Sequence, residues 1–100
     1  MIYITQLIYV KPGQEAIFDE FEKVAIPIVA KYNGRMLFRI RPTQENYIIQ
    51  PDELPYEVHL ATFNSEEDFE AFKADKERVK FLHLKEASIE KMLLIQGMAL

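Results

Sequence analysis

The clearest alternation of hydrophobic and polar positions runs from Tyr56 to Phe63 and leads directly into a helical pattern that reaches Phe72. Successive side chains of a strand point to opposite faces of the sheet, so this alternation predicts a strand. One of its faces carries Val58 and Leu60, and the other carries His59, Ala61 and Phe63. The strand is therefore predicted to present apolar residues on both faces of its sheet.

Three further segments are predicted to be strands: Ile2–Val10, Met36–Arg41 and Ser88–Gln96. In the first, alternation places Ile2, Ile4, Gln6, Ile8 and Val10 on one face and Tyr3, Thr5, Leu7 and Tyr9 on the other. In the second, it places Met36, Phe38 and Ile40 opposite Leu37, Arg39 and Arg41. In the last, it places Ile89, Leu93 and Ile95 opposite Met92 and Leu94. Strands without a polar face are typical of sheets covered on both sides.

A long amphipathic helix is predicted from Gln14 to Tyr32, where apolar residues recur every three or four positions. Pro27 lies inside this pattern and removes one backbone donor, so a kink or local irregularity is expected near Lys23 to Pro27. Asn33 and Gly34 follow, and such residues commonly end a helix in the left-handed conformation.

A second helical region follows the Tyr56–Phe63 strand. Asn64 or Ser65 is expected to cap its start, and Phe69 and Phe72 begin its apolar stripe. After a break near Asp75, Lys76 to Lys85 is predicted to form a second helical piece with Val79 and Leu82 in its stripe.

The resulting order is strand, helix, strand, strand, helix, strand. Right-handed crossovers place both helices on one face of a four-stranded antiparallel sheet, which is the ferredoxin-like βαββαβ plan of the α+β class. Length and uniform composition predict one domain over residues 1–100. The proline-bounded connection from Pro42 to Pro55 is either a loop or a strand extension.

Two helices cannot cover all the apolar strand residues, among them Tyr3, Leu7, Tyr9, Leu37 and Phe63. Covering several hundred square ångströms of apolar surface stabilises by on the order of 10 kcal/mol, at ~25 cal/mol per Å². Sheet-to-sheet association into a homodimer is therefore expected. Polar residues that point into the enclosed space would stand out, and the candidates are Arg39, Arg41, His59, and Gln6 or Thr5.

Charge and composition limit the classes of partner that the chain is expected to bind. The net charge of −4 disfavours nucleic acid and anionic membranes. The chain contains no cysteine, which excludes disulfides and thiolate chemistry and is compatible with the cytoplasm, the expected location. The first strand pattern predicts neither a signal peptide nor a membrane anchor.

Three stretches carry a resemblance to a known group of proteins: IPIVAKYNGRMLFRIR, LPYEVHLATFNSEEDFEAFKAD and ASIEKMLLIQG. The chain resembles an uncharacterised small-protein family of the dimeric alpha/beta-barrel superfamily, which is related to the antibiotic-biosynthesis monooxygenases. The resemblance covers nearly the whole chain and implies a homodimer with a cleft for a small, largely apolar molecule. The residues it carries over are the turn Tyr32, Asn33, Gly34 and Arg35, then Arg39, Glu57 and His59. The connection from Pro42 to Pro55 is longer than the family's usual version.

His59 is the residue best suited to chemistry, because a histidine can act as a general base or donate a hydrogen bond to a carbonyl. The alternative is a strand histidine bonded to a neighbour or water. Arg39 could bind a carboxylate, or form a salt bridge to Glu57 across the hairpin. Arg41 fits a solvated charge better than a ligand contact. Tyr32 could close a pocket through its hydroxyl, or pack in the core with a hydrated tip.

Other chemistry lacks the residues it needs. His83 lies 24 residues from His59, with no nearby carboxylate at ligand spacing, so a metal site is not expected and His83 is predicted to lie at the surface. No cofactor is expected either. Ser65 and Ser88 fit a helix cap and a strand start rather than nucleophiles. The few glycines form no phosphate-binding loop.

These patterns favour a homodimeric protein that binds a small molecule in an apolar pocket, as a cofactor-free monooxygenase or isomerase-like enzyme. The alternative is a non-catalytic carrier or sensor of an amphipathic, fatty-acid-like ligand. An RNA-recognition module on the same plan is disfavoured by the acidic charge and by the lack of basic and aromatic strand motifs.

Overall fold

The computed structural model describes residues 1–100 and confirms the α+β ferredoxin-like plan. The strands are β1 (Ile2–Val10), β2 (Gly34–Ile40), β3 (Glu57–Phe63) and β4 (Ile89–Gly97). They form one antiparallel sheet in the order β2-β3-β1-β4. The helices are α1 (Glu15–Val29), α2 (Glu66–Lys73), α3 (Lys76–Lys80) and α4 (Leu82–Ser88). None of them is long and apolar enough to cross a membrane.

The first helix runs through its proline. Pro27 lies inside α1, which continues to Val29 and then tightens into a 3-10 turn at Ala30–Tyr32. Asn33 follows in the left-handed conformation with φ of 58°, so the predicted stop is confirmed at this residue. The chain then enters β2 directly at Gly34.

The second helical region is divided by its caps. The Ser65 hydroxyl accepts a hydrogen bond from the Asp68 amide at 3.1 Å, so Ser65 rather than Asn64 caps α2. Asp75 marks the predicted break and caps α3 by accepting a bond from the Arg78 amide at 3.0 Å. The expected helix from Lys76 to Lys85 is divided again at Phe81.

A bulge in β2 overturns part of its predicted alternation. Met36 pairs with Ala61 and Phe38 pairs with Leu60, so Leu37 is an extra residue opposite two consecutive partners. Met36 therefore shares a face with Ala61, whereas Phe38 lies on the opposite face. The prediction that Met36 and Phe38 share a face is wrong, because a bulge moves the following side chains to the other side of the sheet.

A similar irregularity lies near the start of β4. Tyr9 pairs with Lys91 and Val10 pairs with Ile89, which leaves Glu90 unpaired between them. Ile89 consequently lies on the face that carries Val10, and the prediction that placed it with Leu93 and Ile95 is wrong for the same reason.

The helices cover one face of the sheet, here called the covered face. Its buried apolar residues are Ile4, Ile8, Ala61 and Phe63, and the buried apolar residues of the helices are Phe18, Phe21, Ala25, Ile28, Val29 and Phe69. Ile4 and Phe63 pack against Val29 and Phe69 in one cluster. Phe63 thus belongs to the core, and the expectation that it adds to an uncovered apolar surface is wrong. The opposite face, here called the open face, carries Tyr3, Leu7, Phe38, Ile40, Leu60, Leu93 and Ile95.

The connection between β2 and β3 is a loop rather than a strand extension. It contains one 3-10 turn at Gln44–Asn46, closed by hydrogen bonds between Thr43 and Asn46. Ile48 and Ile49, which gave the segment its strand-like pattern, are exposed to solvent.

Candidate functional site

The site is built on β3, whose alternation points Glu57 and His59 toward the helices. The register pairs His59 with Gln6 of β1 on one side and with Arg39 of β2 on the other. His59 is 3 % exposed and Glu57 is 1 % exposed. Glu57 and His59 are therefore polar residues buried in the interior, between the sheet and the helices.

Glu57 is held as a carboxylate by two arginines. Arg39 donates from Nε at 2.9 Å and from Nη2 at 3.2 Å, and Arg41 donates from Nε at 2.9 Å. Burial by itself raises the pKa of Glu57, but the hydrogen bonds from His59, Arg39 and Arg41 outweigh it and lower the pKa to about 2. Glu57 is therefore a fixed negative charge at neutral pH.

His59 lies between two carboxyl groups. Its Nε2 is hydrogen-bonded to Glu57 Oε2 and lies 3.8 Å from Glu22 Oε2. Glu57 is thus the partner that orients the imidazole ring. The bond to a neighbouring side chain, weighed from the sequence as the alternative for His59, is therefore present, because residues two apart on a strand share a face.

Glu22 belongs to the buried face of α1. It follows Phe18 by four positions and precedes Ala25 by three, and it is 6 % exposed. Burial raises the pKa of its carboxyl to about 7, although the neighbouring His59 acts in the opposite direction. Glu22 takes part in none of the side-chain hydrogen bonds of the structure, so its proton is available for exchange near neutral pH.

A cavity of about 60 Å³, here called the inner cavity, lies between the covered face and the helices. Its lining is mainly apolar and includes Ile4, Ile8, Phe21, Ala25, Met36, Phe69, Phe72 and Met92. Five polar side chains interrupt this lining: Gln6, Glu22, His59, Arg78 and Lys85. Ligand sites commonly combine an apolar wall with a few such polar groups.

A second, solvent-open depression of about 410 Å³, here called the outer groove, lies beside the inner cavity. It is lined by Asp19, Glu22, Lys23, Ile26, Pro27, Arg39 and Arg41. Glu22 and Ile26 line both spaces. Glu22 is therefore placed where the interior meets a charged surface, which gives its proton a route to water.

The predicted site residues separate into two groups. His59 and Gln6 line the inner cavity, and Arg39 and Arg41 line the outer groove. The salt bridge from Arg39 to Glu57, weighed as an alternative to ligand binding, is present. Arg41 also bonds Asp19 at 2.8 Å.

Tyr32 lies apart from these groups. Its hydroxyl donates to Asp75 Oδ2 at 2.6 Å, and its ring packs against the core. His83 is exposed, as predicted. Ser88, expected to start a strand, instead ends α4 and donates its hydroxyl to the Leu84 carbonyl oxygen at 2.7 Å.

The polar candidates do not point into a space between two sheets. His59, Gln6 and Arg39 lie on the covered face, because each occupies a register position shared with buried residues such as Ile4 and Ala61. Of the candidates named from the strand pattern, Thr5 is on the open face, opposite Leu60.

Three residues of the site were missed from the sequence: Glu22, Arg78 and Lys85. For Glu22 a signal was present, because a charged residue stood at helical spacing within a buried stripe. For Arg78 the helical pattern was misleading, because it predicted that the neighbouring Val79 would be buried. Val79, predicted to be apolar core, is 49 % exposed, and Arg78 is 9 % exposed.

One set of side chains has the composition of a metal site. Ligand atoms of Glu22, Glu57 and His59 all lie within 4.8 Å of one another. Both oxygens of Glu57, however, already accept hydrogen bonds from Arg39 and Arg41. A cation would have to compete with two guanidinium groups, so the arrangement suits proton transfer better than metal binding.

Four antiparallel strands with helices on one face define the ferredoxin-like class, and comparison with solved structures agrees. A protein of unknown function from Rhodopseudomonas palustris matches with a TM-score of 0.84 and 18% identity, over 99% of this chain and 82% of that one. A dimeric protein of ferredoxin-like fold from Bacteroides fragilis matches with a TM-score of 0.69 and 12% identity, over 96% and 93% of the chains.

A third similar structure comes from Nitrosomonas europaea and is named as a candidate antibiotic biosynthesis monooxygenase. It matches with a TM-score of 0.75 and 11% identity, over 100% of this chain and 99% of that one. No protein-family model matches the sequence, and no curated protein matches it. At these identities the likeness establishes the fold, and function has to be argued from the site.

Proposed function

We propose that the protein binds a small, largely apolar molecule in the inner cavity and transfers a proton between this molecule and the Glu22–His59 pair. One observation carries the proposal: Glu22 is a buried carboxyl group with a pKa of about 7, and it lies beside His59 in the cavity wall. A base is most effective when its pKa is near the working pH. The fold likeness to a candidate monooxygenase supports the same class of chemistry.

Each residue of the site has its own role in this proton transfer. Arg39 and Arg41 keep Glu57 ionised, and Glu57 fixes the position of the His59 ring. Glu22 then accepts a proton from an acidic C–H of the ligand, while His59 stabilises the charge that results. Return of the proton to a second atom completes an isomerisation. Oxygenation would start from the same carbanion, formed at a CH₂ group, with dioxygen as co-substrate: a carbon–oxygen bond forms, the peroxide takes up the proton, and loss of water from the hydroperoxide leaves a carbonyl group. Neither route needs a cofactor.

The alternative function is a non-catalytic carrier or sensor of an amphipathic molecule. The strand arginine considered for holding a carboxylate was Arg39, and both Arg39 and Arg41 bond Glu57. The inner cavity of about 60 Å³ is also smaller than the ~150 Å³ cavity that accepts benzene. The portion of a ligand that enters is therefore small, which favours a small molecule over a long acyl chain.

Deuterium exchange tests the proton transfer directly. Small ketones and 2-oxo acids with acidic C–H groups are incubated with the protein in D₂O, and exchange is followed by NMR. We expect the wild type to accelerate exchange, and Glu22→Gln and His59→Gln to lose about 100-fold or more of this rate. Glu20→Gln removes an exposed carboxyl from the same helix and should leave the rate unchanged. Wild-type exchange rates in Glu22→Gln would refute the proposal.

We further propose that the protein is a homodimer joined through the open face. This face exposes Phe38, Ile40, Leu93 and Ile95, each more than two-fifths accessible. The molecule is a flat body of 36 × 35 × 17 Å, so the sheet face exceeds the ~800 Å² that each partner buries in a typical stable interface. The similar structure from Bacteroides fragilis is described as dimeric. The inner cavity lies on the other side of the sheet, and each protomer would carry its own.

A further inference from the structure

Two cations in the wall of the inner cavity have no carboxylate partner. Arg78 comes from α3 and Lys85 from α4, and both line the cavity. Neither takes part in any ion pair of the structure. Buried positive charges are normally paired, because removing them from water costs free energy. The cavity therefore presents positive charge that no anion of the chain neutralises by direct contact.

Arg78 is held in place by its surroundings. Its amide is bonded to Asp75, and its Nη1 donates to the Lys73 carbonyl oxygen at 3.0 Å. The guanidinium lies over the rings of Phe21, at 5.7 Å, and Phe72, at 5.1 Å. Its Nε is buried and has no hydrogen-bond partner. Its Nη2 donates none of the side-chain hydrogen bonds of the structure and is not among the buried unpaired atoms. A fixed guanidinium with such a donor is well suited to bind an oxyanion.

The electrostatic balance of the cavity supports this role. Burial lowers the pKa values of both Arg78 and Lys85, because desolvation disfavours their charged forms. Glu22 is the acidic side chain that shares the cavity lining with them, and its carboxyl holds a proton for much of the time near neutral pH. An added anion would therefore improve the charge balance of the cavity.

We propose that the inner cavity binds a small monocarboxylate, with the carboxylate against Arg78 and Lys85 and the short apolar remainder against Phe21 and Phe72. The size of the cavity limits the ligand to a few non-hydrogen atoms, and its mainly apolar lining favours a monoanion over a phosphate. This inference deepens the proposed function and rests on it for the role of the ligand: the molecule that loses a proton to Glu22 is a small carboxylic acid with an acidic C–H.

Binding of matched probes tests the anion site. Propanoate and its neutral analogue propanamide are titrated at fixed ionic strength and neutral pH, and binding is measured by calorimetry or by NMR shifts. We expect propanoate to bind at least about tenfold more tightly than propanamide, the effect of one charge-assisted contact of roughly 1.4 kcal/mol. Inorganic phosphate is titrated alongside and should bind more weakly than propanoate. Equal affinity for propanoate and propanamide, or tighter binding of phosphate, would overturn the proposal.

Charge-removing variants identify the residues responsible. Arg78→Met and Lys85→Met should each weaken propanoate binding about tenfold or more. Lys80→Met removes an exposed cation near Arg78 and should leave binding unchanged. Arg78→Met also loses the bond to Lys73, so thermal unfolding is measured for every variant. If Arg78→Met does not fold, Lys85→Met decides the question, and wild-type affinity in that variant would refute the site.

The two proposals can fail separately. Glu22→Gln retains both cations and should bind propanoate at least as tightly as the wild type does. Propanoate binding without any catalysed exchange would support the anion site and refute proton transfer. Exchange of neutral ketones without propanoate binding would refute the anion site and leave proton transfer standing.

Discussion

At the scale of single residues, the environment of Glu22 controls what the site can do. A carboxyl group four positions after Phe18 on α1 is carried into the interior by the packing of that helix. There it meets His59, and burial raises its pKa to about 7. Glu57, equally buried, remains ionised because arginines bond it. Two glutamates of one cluster thus differ in protonation because only one has donors.

This difference makes the stability of the fold depend on pH. The pKa of Glu22 is about 7 in the folded protein, whereas the ordinary pKa of a glutamate carboxyl is 4.5, so the folded state binds the proton more tightly. Its contribution to stability is full below pH 4.5 and is lost as the pH rises to about 7. At 1.36 kcal/mol per pH unit, the loss is on the order of 3 kcal/mol.

Glu22→Gln should remove this loss. The free energy of unfolding of the variant and of the wild type is measured with urea. We expect the value for the variant, relative to the wild type, to increase as the pH rises from 4.5 to about 7. Glu57 acts in the opposite sense, but its pKa of about 2 confines its effect to pH values below 4.5. Glu20→Gln serves as the exposed control. Parallel pH profiles for Glu22→Gln and the wild type would show that Glu22 does not titrate as described.

At the scale of elements, two features of β2 decide which residues reach the site. Met36 and Arg39 are three positions apart, and the bulge at Leu37 allows both to lie on the covered face. Arg39 is thereby placed opposite His59. At the start of the strand, Gly34 lies so close to the core that an added Cβ would be 2.6 Å from Phe63 and 2.7 Å from Val29. Glycine at this position permits β2 to approach the end of α1.

Gly34→Ala should therefore destabilise the fold. Phe63 and Val29 are both buried and have little room to move, so we expect a loss of about 1–3 kcal/mol in the free energy of unfolding. Gly97→Ala is the matched control, because a Cβ there would meet nothing within 4 Å. Urea denaturation of both variants measures the difference. Equal stabilities for the two variants would contradict the close approach.

At the scale of the whole molecule, the two faces of the sheet differ in what covers them. The covered face and the helices enclose the inner cavity, and the open face exposes a row of apolar side chains that includes Leu93 and Ile95. Exposed apolar surface of this extent is typical of an interface between subunits. The site and the proposed interface therefore lie on opposite sides of one layer of strands.

The homodimer is testable through the open face. Leu93 lies opposite Leu7 in the sheet and is 51% exposed, so Leu93→Glu places a charge within the proposed interface. We expect light scattering to give the wild type twice the chain mass of 11.8 kDa, and Leu93→Glu a single chain mass. Ile48→Glu changes an exposed residue of the connecting loop and should stay dimeric. A monomeric wild type would refute the interface.

The sequence by itself determined the order and type of the elements, the ferredoxin-like plan, and the strand faces of β1 and β3. These features depend on residues a few positions apart, and the periods of helix and strand report such neighbours directly. The pairing of Glu57 with His59 could also have been predicted from the sequence, because the two residues share a face of β3.

Only the tertiary structure decided which charges meet. The contact between Glu22 and His59 depends on how α1 docks on the sheet, and the side of the sheet that Arg39 faces depends on a one-residue bulge that period-two patterns do not reveal. Arg78 and Lys85 are seven positions apart, and they reach the inner cavity because of the way α3 and α4 dock against the rest of the fold. Long-range packing fixes such contacts, and a local pattern carries no information about them.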